Sequence, residues 1–203
     1  TYIINNFTVS PLICLLLILS IGVSHGSLDN LKGEKFLNIF GINNLFIFYS
    51  LYILLATVVI ILWIIIPSIS LIIFLIVASY HFGKEDTQFL VIENSYVNQL
   101  LFFIKGTLIA LAPIYFHFDE TIGIFKLLLV DNENFYEFLN FIESNKILLF
   151  GIILSTLANI ILFTKKFEIK KFAFFLDYFS ILIINYYFSP LLAFTLYFCF
   201  LHS

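Results

Sequence analysis

Apolar residues run in long blocks along this chain, and charged residues are concentrated in the breaks between them. The blocks fall at about 7–25, 45–66, 68–82, 97–117, 147–164, 172–188 and 190–203. A helix that crosses a bilayer needs about 20 mostly apolar residues, because each advances 1.5 Å across roughly 30 Å of hydrocarbon. The pattern therefore predicts about seven transmembrane helices, of which the third and seventh are short. Pro67 separates the second from the third and Pro190 the sixth from the seventh, since proline lacks the N–H that a continuing helix uses.

The polar breaks are GSLDNLKGEKFLNIFGINN (26–44), GKEDTQFLVIENSY (83–96), FDETIGIFKLLLVDNENFYEFLNFIESNK (118–146) and KKFEIKK (165–171). The long third break contains TIGIFKLLLV, too short to span, and is expected to be an interfacial helix or a capping loop. With seven spans, the breaks after the first, third and fifth share one side and carry Lys32, Lys35, Lys84, Lys165, Lys166, Lys170 and Lys171. The other side has Lys126 and Lys146, and Lys105 falls inside the fourth span. Lysine accumulates on the cytoplasmic side of a membrane, so the N-terminus is expected outside.

Composition agrees with the pattern. Of 203 residues 62% are hydrophobic and 11% charged, against about 25% charged in soluble domains, and mean hydropathy is +1.07. The fold class expected is an all-α integral membrane protein, a polytopic bundle forming one transmembrane domain over residues 1–203, multi-pass in the plasma membrane. The first block lacks a basic lead and a small-residue cleavage site, so it reads as a span rather than a signal peptide. Cys14 and Cys199 both sit in apolar blocks, where a thiol behaves as a small hydrophobe. The only basic cluster is KKFEIKK, which topology explains, so no nucleic-acid partner is expected.

The candidate chemistry lies at the ends of the blocks. His25, His81 and His202 end the first, third and seventh spans, and by the topology above all three reach the cytoplasmic level. Ionisable groups at membrane depth are costly and usually face a partner, and neutral imidazole is the commonest metal-binding side chain. Three imidazoles without thiolates suit iron or a similar transition metal better than calcium or magnesium. Asp29 follows His25 by four residues and Asp86 follows His81 by five, so either carboxylate can accept from the far ring nitrogen and fix the tautomer. Gly26 and Gly83 let a helix end there, or let a substrate approach the backbone.

Each of these residues also has a plainer reading. A single histidine at a helix end is more often interfacial than a ligand; only the shared level of three raises the metal reading to even odds. Asp29 and Asp86 read equally as solvated loop charges, and Glu85 is best read that way. His117 ends the fourth span on the opposite face and is expected to pair with Asp119 or Glu120. Phe, at 27 residues, and Tyr, at 11, can line a tunnel, but they also fill membrane cores, so composition gives that reading no weight. Lys105 is the one lysine placed for a retinal Schiff base, but a retinal-binding rhodopsin is expected to carry it in its last span, which has none here.

HGSLDN (25–30), YHFGKED (80–86), PIYFHFDE (113–120) and YFCFLHS (197–203), in this order, resemble the motifs of the Brp/Blh family of membrane β-carotene 15,15′-dioxygenases. The resemblance implies a polytopic enzyme that uses non-haem Fe(II) to cleave the central double bond of β-carotene with O2. The products would be two retinals, chromophore for a proteorhodopsin-type pump. His25, His81 and His202 match the family's iron-binding histidines, and Asp29 and Asp86 become the orienting carboxylates. Two departures stand out. The family often has a histidine where Asn30 stands, and its last motif continues to another histidine one turn past Ser203. The competing class is a non-enzymatic membrane transporter or binding protein with interfacial histidines. A di-iron membrane hydroxylase ranks below it, because its HxxxH and HxxHH clusters are absent from the sequence.

Overall fold

The computed structural model describes residues 9–26, 33, 35, 37–39, 41, 44–87, 95–128, 130–165 and 172–202. Every regular element among them is helical: α1 (Pro11–Gly26), α2 (Leu45–Ile65), α3 (Pro67–Glu85), α4 (Tyr96–Gly106), α5 (Leu108–Phe116), α6 (Phe118–Leu127), α7 (Glu133–Ser144), α8 (Ile147–Lys165), α9 (Phe172–Tyr187) and α10 (Pro190–Leu196), followed by a π-turn (Tyr197–Leu201). Four stretches are long and apolar enough to cross a membrane: Phe46–Ile65, Pro67–Glu85, Tyr96–Phe116 and Ile147–Lys165. Two shorter apolar helices, Pro11–Gly22 and Pro190–Leu201, fall below that length. Of the seven spans expected, four therefore stand as full-length candidates; α9, with 16 residues and Asp177 among them, is not one of the four.

Local chemistry sets the boundaries. Pro67 opens α3 and Pro190 opens α10, each in the first turn, where the missing N–H has no helical partner to lose. Asn44, Ser95 and Asn132 accept from the first-turn amides of Phe46, Asn98 and Phe135, capping α2, α4 and α7. Helix α5 is the hub, with Leu108 and Ala112 fully buried, and it packs on α8, α9, α3 and α10. Helix α2 is apolar all round and buries none of its span, touching mainly α3. An all-round apolar helix with so little protein contact is a lipid-facing one.

The long third break forms two helices, α6 and α7, and no span. Phe125 and Leu139 turn inward onto Leu71, Ile114, Val130 and Leu148, while Lys126, Glu137 and Glu143 stay outside. This is the expected capping element, and it is tied down where Trp63 Nε1 donates to the Leu128 carbonyl at 2.7 Å.

Two ends of the bundle can be told apart by cross-links. At one end the termini of α3 and α8 meet the start of α4, through Tyr80 to Gln99 and through Lys165 Nζ to Asn98 Oδ1 at 2.5 Å. At the other, α6 and α7 cover the beginning of α3. His117 belongs to this second end, about 18 Å beyond Lys105 at 1.5 Å per residue.

Candidate functional site

At the α3–α4 end, residues far apart in sequence converge on one carboxylate. Asp86 is the C-cap of α3. Its Oδ1 lies 2.7 Å from His202 Nδ1, and its Oδ2 accepts from the Tyr197 hydroxyl at 2.8 Å. The His202 side chain is 5% exposed. Its ring lies edge-on to Phe82 with centroids 4.6 Å apart, and the His81 ring stands 5.8 Å from it at an interplanar angle of 64°. His81 itself lies on the last turn of α3 and is exposed.

The π-turn makes this convergence possible. Tyr197 and His202 are five residues apart, which in an α-helix separates them by about 140° around the axis, five steps of roughly 100°. Here the amide of His202 reaches back to the Tyr197 carbonyl at 2.9 Å, a five-residue turn that widens the helix. Both side chains then address the same carboxylate.

The protonation this implies is specific. With the Asp86 carboxylate accepting a hydrogen bond from Nδ1–H of His202, the lone pair of the neutral ring resides on Nε2. That is the state in which an imidazole binds a transition metal, and the donor set of His202 with the adjacent His81 fits one with an imidazole preference. Among the described residues no three His, Cys, Asp or Glu side chains come together as a metal group. The expected third ligand, His25, lies in the last turn of α1, with its side chain outside the described ones. Helix α1 packs on α10 and on the π-turn. Asp29 and Asn30 lie outside the described residues, as does Ser203.

Beside the cluster begins a cavity of about 300 Å³ that runs through the bundle. Phe82, Tyr197 and Phe194 form its wall near His202, Ala78, Ile109 and Ala110 its middle, and Thr121, Phe125 and Leu128 its far end under the cap. Its polar side chains are already committed. Ser79 Oγ donates to the Leu75 carbonyl, Thr121 Oγ1 reaches the Pro113 and His117 carbonyls, and Asn185 Nδ2 donates to the Ile181 carbonyl. What remains for a ligand is a long apolar surface, the usual make-up of a site for a hydrophobic molecule. An apolar cavity that composition alone could not support is thus present in the fold.

His117 is kept apart, as its topology predicted. Its Nε2 lies 2.8 Å from the Asn185 carbonyl, and Nδ1 lies 3.9 Å from Glu120. Gly83 serves another purpose than the one expected. Helix α3 continues through it to Glu85, and Gly83 packs face to face with Gly106 of α4. Tyr197 and Thr87 were not singled out in the sequence. The signals for Tyr197 were its place at the head of the YFCFLHS motif and its spacing of five residues before His202, which a search for helical faces discards.

A helical membrane protein with a carboxylate-held histidine, a second histidine beside it and an apolar cavity next to them is what the fold defines. The family model for β-carotene 15,15′-dioxygenase matches residues 16–203, so the chain belongs to that family, one of carotenoid dioxygenases. No curated protein and no solved structure gives a significant match.

Proposed function

We propose that this chain cleaves β-carotene at its central 15,15′ double bond with O2, giving two all-trans-retinal molecules, at a non-haem Fe(II) held by His25, His81 and His202. The observation that carries the reading is the apolar cavity whose end wall, Phe82 and Tyr197, packs directly on His202, in a chain of this family. In the reaction one C=C bond breaks, two C=O bonds form, and each retinal takes one atom of O2. Fe(II) bound there would supply the redox chemistry for O2, which side chains cannot. The chain's own residues do the rest. The cavity draws the hydrocarbon out of lipid and lays it against the cluster, Asp86 holds His202 with Nε2 free, and Tyr197 holds the second oxygen of Asp86. The lysine-rich end, with Lys84 and Lys165, would face the cytoplasm, which would deliver retinal on the side of the candidate metal site and make it available to a microbial rhodopsin.

The test is expression in β-carotene-producing cells followed by pigment extraction. The wild type is expected to bleach the cells and accumulate retinal, and His81→Ala to leave β-carotene intact. A well-expressed, iron-supplied wild type that forms no retinal would overturn the assignment. The cavity has its own test in Ala110→Phe, which fills the middle of the cavity from α5, a helix that carries none of His81, His202 and Asp86. A steric penalty of about 1–2 kcal/mol there, and so roughly a tenfold fall in retinal formation, is expected with iron content unchanged.

A further inference from the structure

The cluster contains a buried cation that the reaction does not use. Lys105 is 5% exposed, lies within a membrane-crossing stretch and is not part of the cavity wall. A lysine at that depth is expensive and calls for partners. Its Nζ donates to Thr87 Oγ1 at 2.8 Å and stands 3.5 Å from the Asp86 carbonyl. Thr87 is fully buried, and its hydroxyl donates a hydrogen bond to the Gly83 carbonyl at 2.6 Å. The ammonium thus sits on the C-terminal end of α3, where the helix leaves carbonyls unpaired and where its dipole favours positive charge. The backbone beneath Lys105 is fixed too. Its carbonyl accepts from Ser155 Oγ of α8 at 2.8 Å, and Ser155 in turn accepts from the Tyr178 hydroxyl of α9 at 2.9 Å.

We infer that Lys105 is a positioning residue for the candidate metal site, acting through Thr87 and the Asp86 main chain to hold the end of α3 so that the Asp86 carboxylate stays on His202. The last turn of α3 carries His81, and its C-cap carries the carboxylate that orients His202. One tether therefore fixes both histidines relative to each other. The Lys105 nitrogen is hydrogen-bonded to the end of α3 and also faces the carboxylates of Asp86 and Asp177, so it is engaged by protein groups and not offered to retinal as a Schiff-base partner. The inference rests on the metal site proposed above.

The experiment uses the full chain purified in detergent, with Fe(II) affinity from anaerobic equilibrium dialysis and β-carotene affinity from absorbance titration. Removing Lys105 leaves a buried void, so the deciding pair is Thr87→Val, which loses the hydroxyl at nearly constant shape, and Thr87→Ser, which keeps it. Thr87→Val is expected to weaken Fe(II) binding about tenfold, the scale of lost outer contacts at metal sites, while Thr87→Ser stays within about twofold of wild type. β-Carotene affinity is expected to hold in both. Lys105→Met, which also removes the group facing the Asp86 and Asp177 carboxylates, should weaken Fe(II) binding at least as much as Thr87→Val. Wild-type Fe(II) affinity in Thr87→Val would overturn the inference alone, as would a Thr87→Ser protein as weak as Thr87→Val. A parallel loss of β-carotene affinity would also overturn it, since the bundle would then have loosened as a whole. A wild type that binds no Fe(II) would sink the metal site itself and this inference with it.

Discussion

Asp86→Asn is expected to lose about 10–100-fold of the retinal-forming activity, the usual cost of removing a partner that orients a metal-binding histidine, and His202→Ala to lose more. The Asp86 carboxylate can only accept, so it selects the Nδ1–H form of His202. An asparagine in the same place offers either an oxygen or an NH2 group. When the NH2 faces the ring it selects the opposite tautomer, in which Nε2 carries the proton and cannot bind metal. The substitution also replaces the anion that receives the Tyr197 hydroxyl. Size is nearly unchanged, so the chain is expected to keep its fold. Retinal measured by chromatography, together with bound iron per chain, checks this. Full activity in Asp86→Asn would show that the Asp86–His202 contact is an interfacial ion pair with no part in the chemistry. His202→Ala removes the ring that packs behind the cavity-wall residues Phe82 and Tyr197, and no neighbour among Phe82, Phe198 and Tyr197 can supply an imidazole lone pair in its place.

Much of this was legible before the structure, for identifiable physical reasons. Run length identifies a membrane helix, because hydrocarbon thickness fixes how many residues are needed, and α2, α3, α8 and the α4–α5 pair met that length. Prolines marked two boundaries correctly, since the lost N–H acts locally. Asp86 was found because it lay near His81 in sequence, yet the ring it holds is that of His202, 116 positions away. A spacing argument sees partners along one helix and not those brought in from another. The π-turn was hidden for a related reason, since sequence periodicity assumes 3.6 residues per turn. Lys105 was weighed only as a Schiff-base candidate, because its real partners, Thr87 and the main chain of Asp86, belong to a neighbouring helix end. Gly83 looked like a stop signal, and its meaning came from Gly106 on another helix.

Those two glycines carry the largest expected effect on folding. A Cβ on Gly83 would overlap the carbonyl oxygen of Phe102 and stand 2.9 Å from the Gly106 nitrogen. One on Gly106 would overlap the carbonyl oxygen of Ser79 and stand 2.8 Å from the Gly83 nitrogen. The obstructing atoms are helix backbone, so no rotamer change relieves them, and α3 and α4 have to move apart. These two helices share the most extensive contact in the bundle. Small residues at such a crossing are what allow close approach where no hydrophobic effect drives helices together in lipid. Parting them also stretches Lys105 from Thr87 and Tyr80 from Gln99. Gly106→Ala is therefore expected to cost at least about 3 kcal/mol, the upper part of the range for forced overpacking. Gly123→Ala is the control: it lies exposed on α6 with nothing within 4 Å of the added carbon, and it should be neutral or stabilising by up to about 1 kcal/mol from helix propensity. Thermal unfolding in detergent, followed by circular dichroism, separates the two. Equal melting of Gly106→Ala and wild type would mean that α3 and α4 do not cross as closely as described. The end of α3 would then lose the support that sets His81 and Asp86 beside His202.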